Sequence, residues 1–180
     1  MQDPMWPEAI RADLDSFEDG IAKAWQMLKP HPYPENKNGY PVLKKTQAMR
    51  ESADYMAAPF RLLHINVNFE DQTNHVGVKQ PKCTNCGDCV TGCNVGAKNT
   101  TAMNYLPDAY NHGADIFTSI NVRFVKKIDG HWQVYYHPIG IGRDNFDAPL
   151  LFVKAKNVIL SAGSLGSTEI LFRSAKKGLK

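Results

Sequence analysis

All four cysteines of the 180-residue chain lie within one stretch of eleven residues, as Cys83, Cys86, Cys89 and Cys93. The spacing C-x2-C-x2-C-x3-C is the run with which bacterial ferredoxins hold iron–sulfur clusters. Cysteines this close together cannot build a disulfide scaffold, because each bridge would close a loop of only a few residues. The chain therefore concentrates its soft-ligand chemistry in one loop.

The four thiols leave several kinds of site open. A [4Fe–4S] cluster is the favoured interpretation, bound by Cys83, Cys86 and Cys89 together with either Cys93 or a ligand outside the chain. The run departs from ferredoxins at Asn94, where they usually carry proline. Zinc fits less well, because zinc ribbons separate their two C-x2-C pairs by about a dozen residues or more. A redox disulfide and four plain thiols are the remaining alternatives.

Composition and charge restrict the class of protein. Hydrophobic residues make up 43% of the chain, which suits a globular domain with a core. The net charge of +3 is too small to indicate nucleic-acid binding. No apolar run is long enough to span a membrane, and the first residues lack the basic and apolar regions of a signal peptide. We therefore expect a cytoplasmic location.

The first part of the chain is predicted to be mainly helical. Ser16 is a candidate cap for a helix that runs to Leu28 and stops before Pro30. A second helix is expected after Pro41. Its apolar face for core packing is formed by Met49, Ala53 and Met56. Both helices are assigned to a substrate or cap region.

One strand and one long loop follow these helices. Apolar residues alternate between Phe60 and Phe69, which is the pattern of a half-buried strand. Residues 70–98 are polar, contain glycine and are predicted to be loop, with the cysteines in its second half. A loop of this length is unusual in a compact domain, so either a metal organises it or it covers a ligand.

The second half of the sequence predicts a helix and then short strands. The helix is expected between Asn99 and His112, with Pro107 tolerated as a kink. Asp129-Gly130 is a hairpin turn signal. The predicted strands are Asp115–Ser119, Val122–Ile128, Trp132–His137, Leu150–Val153 and Val158–Ser161.

The final segment has the pattern of a nucleotide-binding turn. The apolar run Val158–Ser161 leads into the small residues of Ala162–Ser167 and then into a helix through Ile170 and Leu171. A buried strand, a turn of small residues and a helix N-terminus let α/β proteins bring their backbone close to a nucleotide. Tight packing of helix on strand without a ligand is the alternative, because the turn lacks the G-x-G-x-x-G pattern. The fold class is therefore predicted as α/β, or α+β overall.

Two stretches resemble one family. Residues 161–171, Ser-Ala-Gly-Ser-Leu-Gly-Ser-Thr-Glu-Ile-Leu, look like the late flavin-contacting segment of the glucose–methanol–choline (GMC) oxidoreductases, particularly their cholesterol-oxidase-like branch. Residues 94–100, Asn-Val-Gly-Ala-Lys-Asn-Thr, and the later Asn104-Tyr105-Leu106 resemble the segment that precedes the adenine-binding strand of that family. The resemblance covers residues 83–175.

The resemblance implies an FAD-dependent alcohol dehydrogenase. In this family a hydride passes from the carbon that bears the hydroxyl group to flavin N5, and a histidine acts as base. The residue that meets the adenine maps to Val122, and Ala162, Gly163 and Ser164 map to the small residues that approach the flavin nucleotide. The implied fold is a partial FAD/NAD(P)-binding Rossmann-like domain with part of a second, substrate or cap domain.

The pattern of the family is only partly present. The resemblance implies a G-x-G-x-x-G turn in an early segment and a catalytic histidine well after residue 171, and the chain contains neither. We therefore expect an internal fragment that has no catalytic residue of its own and no activity alone. The predicted division is a partial substrate or cap region at 1–80, a cysteine loop at 81–98 and a partial FAD-binding domain at 99–180.

Three functions compete on these patterns. The first is FAD-dependent oxidation of a small-molecule alcohol, sugar or sterol, with electrons leaving through a [4Fe–4S] cluster to an acceptor protein or a quinone. The second is a small ferredoxin-type electron carrier, which gives no role to the 87 residues after Cys93. The third is a non-catalytic domain that zinc holds together.

Overall fold

The computed structural model describes residues 3–140 and 150–179. The chain divides into two units, Met1–Asp115 and Ile116–Lys180. The four cysteines lie in the first unit, and the turn of small residues lies in the second. None of the described helices is both long and apolar enough to cross a membrane. The predicted division at residues 80 and 98 stays a prediction.

Helices form most of the regular structure of the first unit. They are α1 (Glu8–Ala12), α2 (Leu14–Leu28), α3 (Lys44–Tyr55) and α4 (Tyr105–Asn111). The side chain of Asp13 accepts a hydrogen bond from the N–H of Ser16 (3.1 Å), so Asp13 caps α2 and the predicted cap at Ser16 is wrong. The end of α2 at Leu28 is confirmed, and α3 confirms the helix predicted after Pro41.

The strands of the first unit are short. They are β1 (His31–Pro32), β2 (His64–Ile65), β3 (Gln72–Thr73) and β4 (Lys79–Gln80), paired antiparallel as β1 with β2 and β3 with β4. The strand predicted over residues 60–69 is therefore mostly wrong, because only β2 remains of it. The backbone after β2 pairs with the cysteine loop instead of with a strand, beginning at an isolated bridge between Val67 and Lys98.

The apolar face of α3 does not supply the expected core. Met49 is 58% exposed and Met56 is 73% exposed. The buried apolar side chains of this unit are Tyr40, Phe69, Val76 and Ala97. The rings of Tyr33, Tyr40 and Phe69 meet edge to face, with centroids between 5.2 and 5.8 Å apart. An aromatic cluster, rather than the methionine face, is therefore the core of this unit.

α4 begins later than the sequence predicts. A 3-10 turn occupies Thr101–Met103, and the side chain of Asn104 then caps α4 by accepting from the N–H of Tyr105 (2.7 Å). Pro107 consequently falls in the first turn of α4, where a missing N–H removes no helical hydrogen bond. The kink that was expected at Pro107 is not required.

Three antiparallel strands form the sheet of the second unit. In spatial order they are β5 (Ile120–Ile128), β6 (His131–Pro138) and β7 (Leu151–Ala155). Asp129 and Gly130 have φ angles of 50° and 77°, which gives the predicted two-residue turn between β5 and β6. The register of this pair shifts between Val122 and Phe124, which is a bulge. The predicted strand at residues 115–119 is wrong, because β5 starts only at Ile120.

Helix α5 (Gly163–Ala175) packs against β5 and confirms the predicted final helix. Ile170 and Ser174 of α5 and Val125 of β5 are buried. The Ser174 hydroxyl accepts a hydrogen bond from the N–H of Val125 (2.9 Å) and donates to the carbonyl of Ile170 (2.7 Å). A single buried hydroxyl thus joins the helix to the strand close to the bulge.

A parallel sheet is not seen among the described residues, where each paired strand is antiparallel. The strand predicted at Val158–Ser161 is also wrong: these residues have no strand structure, and Ile159 is 88% exposed. A strand of a parallel sheet needs paired neighbours and cover on both faces, and this segment has neither. The mixed class of helix and sheet is confirmed, whereas the Rossmann-like domain stays a prediction.

Candidate functional site

The two ends of the cysteine loop meet at Asn68. The N–H of Cys83 donates to the carbonyl of Asn68 (2.9 Å), and the N–H of Asn68 donates to the carbonyl of Ala97 (2.7 Å). Further along, the N–H of Asn99 donates to the carbonyl of Asn66 (2.9 Å). The cysteine loop therefore leaves and rejoins the fold at one extended segment.

The side chain of Asn68 strengthens the same junction. This residue is only 5% exposed, so its amide must find partners inside the protein. Its Nδ2 faces the carbonyls of Glu70, Gln80 (3.3 Å) and Pro81 (3.0 Å), and its Oδ1 accepts from Gln72 Nε2 (2.7 Å). The chain that leads into the first cysteine is thus held by a buried amide.

Two further side chains fasten the base of the cysteine loop. Gln80, which is 3% exposed, donates from Nε2 to the carbonyl of Ala97 (3.2 Å) and to Asn99 Oδ1 (2.7 Å). The hydroxyl of Tyr40 donates to the carbonyl of Cys83 (2.7 Å). Burial, and then the charge of Cys83, raise the pKa of Tyr40, so this hydroxyl remains a donor at neutral pH. Both ends of the loop are therefore satisfied by buried polar groups.

The four thiols differ in exposure but line one small pocket. Cys83 and Cys93 are half-buried near the base of the loop, whereas Cys86 and Cys89 are exposed. All four border a cavity of about 20 Å³, together with residues such as Lys98. The fold thus brings the four sequence-predicted metal ligands to one place.

Cys93 sits among backbone donors. The backbone N–H groups of Lys98, Val95, Ala97 and Gly96 favour the charged form of its thiol. Burial disfavours the charged form of this thiol, but the four donors outweigh burial, and the pKa of Cys93 is lowered. Successive N–H groups that point at one atom form an anion-binding concavity of the kind found at iron–sulfur sites. The base of the loop is therefore suited to a thiolate.

The thiols nevertheless do not form a finished ligand set. In the part of the chain that the structure describes, no three His, Cys, Asp or Glu side chains are gathered closely enough to hold a metal ion. The four cysteines are also free rather than bridged. Thiolate donors suit both iron–sulfur clusters and zinc. The assignment of Cys83, Cys86, Cys89 and Cys93 as metal ligands stays a prediction.

A second candidate site lies in the Ile116–Lys180 unit. A cavity of about 640 Å³ is bordered by Val122 of β5 and by Ala162 at the start of α5. Ile120, Asn157, Ser161, Gly166 and Glu169 are among its other lining residues. Val122 and Ala162 were both predicted from sequence to approach a flavin nucleotide, and the structure brings them to the same cavity.

The turn at the start of α5 shows why its residues are small. Gly163 has a φ of +73°, a left-handed conformation that favours glycine. A Cβ atom at Gly166 would lie 3.1 Å from the Cβ of Ala162, so larger residues would crowd this point. Ser167 Oγ accepts from the N–H of Ala162 (3.0 Å) and fixes the turn. Gly163 and Ser164 lie in the first turn of α5 beside the cavity but do not line it.

Sequence reasoning missed several residues that shape these sites. Asn68 was part of a predicted strand. The only sign in the sequence that could have marked it is its position as an asparagine between the apolar residues Val67 and Phe69. Gln80 and Ser174 carried no local signal, because their partners lie far away in the sequence.

A family model decides the relationship of this chain to known proteins. The model of the GMC oxidoreductases matches residues 63–178, which is more than half of the chain. The chain belongs to the GMC oxidoreductase family. The match runs from just before the base of the cysteine loop to the end of α5, so it includes both candidate sites.

Individual relatives place the chain near one branch of the GMC oxidoreductases. It is 37% identical over 108 residues to a cholesterol oxidase of Acinetobacter baumannii, covering 58% of this chain and 19% of the relative. It is 34% identical over 105 residues to a cholesterol oxidase of Mycobacterium tuberculosis, covering 57% and 17%. The chain thus spans about a fifth of the length of these curated relatives. No solved structure gives a significant match.

The GMC oxidoreductases and their cholesterol oxidases are FAD-dependent, and the second unit offers features that fit this cofactor. A cavity of about 640 Å³ lies within the range of about 300–1,000 Å³ that is usual for small-molecule sites. The turn beside it permits close approach of a ligand to the backbone, because Ala162 and Gly163 carry little or no side chain. Val122, Ala162 and the first turn of α5 are the groups that would hold the nucleotide part of FAD.

Proposed function

We propose that this chain is part of an FAD-dependent dehydrogenase that acts on the CH–OH group of a small-molecule alcohol, sugar or sterol. The observation that carries the proposal is the shared cavity of Val122 and Ala162, in a chain of the GMC family. FAD, when bound, supplies N5 as the acceptor of the substrate hydride. The match to cholesterol oxidases favours a sterol or another large alcohol, and the Rossmann-like domain belongs to this proposal.

The residues of this chain serve binding in that proposal. Val122 borders the cavity from β5, where its backbone would meet the adenine. Ala162 and Gly163 leave room for the nucleotide, and Ser164 lies in the first turn of α5, where N–H groups have no helical partner. The base that accepts the hydroxyl proton is not assigned to any residue of this chain.

The cofactor site can be tested by filling it. Ala162→Phe should lower the FAD content of the purified intact protein about tenfold or more, because overpacking costs about 1–3 kcal/mol and a ring would occupy the cavity. Leu165→Phe is the matched control on the same helix, since Leu165 is 88% exposed. Flavin absorbance per protein measures the effect. Equal flavin content in the two variants, both with wild-type circular dichroism, would contradict the site.

The reaction class needs a separate assay. The intact protein should reduce an artificial electron acceptor with an alcohol, sugar or sterol as donor, and it should form little hydrogen peroxide in air. Abundant peroxide would instead support an oxidase. The isolated 180-residue chain should show no turnover, and measurable turnover by it would contradict this part of the proposal.

We also propose that the cysteine loop binds a [4Fe–4S] cluster through Cys83, Cys86, Cys89 and Cys93. The shared pocket of the four thiols and the N–H groups around Cys93 favour this second function. A cluster there would accept single electrons and make an acceptor protein or a quinone the final oxidant. The concentration of unbridged thiols in one loop also favours a reducing compartment, so we propose a cytoplasmic location, which cell fractionation would test.

Elemental analysis separates the candidates for the loop. The protein purified without oxygen should contain about four iron atoms and four sulfides per chain, with broad absorbance beyond that of flavin. Cys93→Ser should lose most of this iron, whereas Thr91→Ser in the same loop should keep it. Zinc in place of iron would support a structural zinc site. If neither metal is found, the four cysteines are plain thiols. The family match does not support a small ferredoxin. The match includes the segment after Cys93, for which a ferredoxin would have no role.

A further inference from the structure

The cysteine loop has a fixed base and a loosely held arc. The base, which holds Cys83 and Cys93, is tied through Asn68, Gln80 and Tyr40. The arc, residues 85–92, carries Cys86 and Cys89 and is exposed throughout. The difference in burial means that the arc can move at much lower cost than the base.

The contacts of the arc are few and lie at the surface. Asn85 Nδ2 donates to the Tyr33 hydroxyl (2.8 Å), and Lys98 Nζ donates to the carbonyl of Cys89 (3.2 Å). Gly87 and Gly92 have φ angles of +83° and +119°, with open space where a Cβ would lie. These glycines flank Cys89 and allow backbone conformations that other residues avoid.

The present positions of the thiols imply that part of the loop would have to move. Among the described residues, no three thiols are gathered closely enough to hold a metal ion. Binding of the proposed cluster would therefore require the exposed arc to change position while the base stays in place. Two ligands would then be set by the fold, and the other two would close onto the cluster.

We propose that Asn68 is the positioning residue of this site, which holds Cys83 and Cys93 in place so that the arc with Cys86 and Cys89 can close on a cluster. The inference rests on the proposed cluster. Asn68 is suited to this role because its backbone joins both ends of the loop and its buried amide holds the carbonyls of Gln80 and Pro81. It touches no thiol, so it acts only through the geometry of the base.

The decisive variant is Asn68→Asp, which keeps the size of the side chain and replaces the donor with an oxygen. The carbonyls of Gln80 and Pro81 would then face an acceptor, and the entry into Cys83 would shift. Residues that orient metal ligands typically change metal affinity by about 10- to 100-fold when altered. We expect a loss of that size in iron affinity, measured by competition with a chelator after anaerobic reconstitution of the intact protein.

Asn74→Asp is the matched control. Asn74 also lies half-buried in the first unit and donates from Nδ2 to a carbonyl, that of Met103 (2.6 Å). The hydrogen-bond partners of its side chain, Met103, Val76 and Val78, lie outside residues 81–98. This variant should keep wild-type iron affinity and a wild-type electron paramagnetic resonance spectrum of the reduced cluster. Asn68→Asp should change the spectrum of the residual cluster, which a general loss of stability would not do.

The possible results separate this inference from the proposals beneath it. Wild-type iron affinity and spectrum in Asn68→Asp would overturn the positioning role alone. A wild-type protein without iron would overturn the cluster and this inference together, while leaving FAD binding untouched. If Asn68→Asp does not fold, as judged by circular dichroism, Tyr40→Phe decides. It removes the hydrogen bond to the carbonyl of Cys83 and the longer one (3.5 Å) to the carbonyl of Phe69, and unchanged iron affinity would overturn the role of the fixed base.

Discussion

The two units of the chain stabilise their backbones in different ways. In Ile116–Lys180, three adjacent strands exchange regular antiparallel hydrogen bonds, and α5 covers β5. In Met1–Asp115, the described strands are only two residues long, and buried amide side chains such as those of Asn68 and Gln80 satisfy the carbonyls around the cysteine loop. One unit relies on repeated main-chain pairing, and the other relies on single side chains.

This difference suits what each proposed site needs. A cavity for a large cofactor needs rigid walls, and a sheet covered by a helix provides them. The sequence marks these elements through local patterns. The exposed arc of the cysteine loop has no strand beside it among the described residues, yet the buried carbonyls at its base must still find donors. Asparagine and glutamine side chains supply those donors at fixed points. We call Ile116–Lys180 the sheet unit and Met1–Asp115 the loop unit. The stability of the sheet unit should therefore be most sensitive to loss of apolar volume, and that of the loop unit to loss of single polar atoms.

The largest effect is expected in the core of the sheet unit. Ile170→Ala should lower the free energy of unfolding by about 2–5 kcal/mol, because Ile170 is 7% exposed and its truncation leaves a cavity between α5 and β5. Chemical denaturation measures the change. Leu165→Ala on the same helix is the control and should stay within about 0.5 kcal/mol. Hydrogen exchange should rise in β5 and β6 but not at Cys83 and Ala97, and a rise there would contradict independent stabilisation of the two units.

The next effect tests a fully buried polar side chain of the sheet unit. Ser174→Ala should cost about 1–3 kcal/mol, because the N–H of Val125 would lose a partner in a fully buried place. Ser164→Ala, in the first turn of the same helix, is a control with an exposed hydroxyl. A loss equal to that of Ile170→Ala would show that the sheet unit also depends chiefly on single polar atoms.

Local signals explain which parts of the fold the sequence predicts. The end of α2, the helix after Pro41, the turn at Asp129-Gly130 and the presence of a final helix all depend on neighbours in the sequence, and these predictions are confirmed. The helix α5 begins at Gly163, earlier than predicted. The family resemblance marked Val122 and Ala162, and both border one cavity, but their role at FAD stays a prediction.

The failures share a different cause. The strand predicted over residues 60–69 depends on its pairing partner, and the partner is the distant return of the cysteine loop. The exposure of Met49 and Met56 depends on which elements cover α3, which helical spacing cannot show. Asn68 interrupts an apolar pattern in the sequence, and its hydrogen bonds to Cys83 and Ala97 join segments that are far apart in the sequence.

A smaller effect is expected in the loop unit. Tyr40→Phe keeps the edge-to-face ring contacts with Tyr33 and Phe69 but removes the donor to the carbonyl of Cys83. The expected loss is about 0.5–1.5 kcal/mol, which is the net value of one hydrogen bond. Hydrogen exchange at Cys83 should rise while exchange in β6 stays unchanged. Tyr55→Phe is the control, because Tyr55 is 93% exposed, and an equal effect of both variants would remove the special role of the Tyr40 hydroxyl.

The smallest effect concerns charge in the loop unit. Partial burial, and then the positive charge of Lys29, lower the pKa of His75 from its ordinary value of 6.5, while Asp108 opposes the shift. The unfolded chain protonates His75 near pH 6.5, and the folded chain does so only at lower pH. The free energy of unfolding should therefore fall as the pH drops below 6.5 towards the lowered pKa, and the contribution of His75 should be complete above 6.5. Lys29→Met should raise the pKa of His75 in a nuclear magnetic resonance titration. Lys23→Met is the control, since Lys23 pairs with Asp19 at the surface, and equal His75 titrations in both variants would contradict the influence of Lys29.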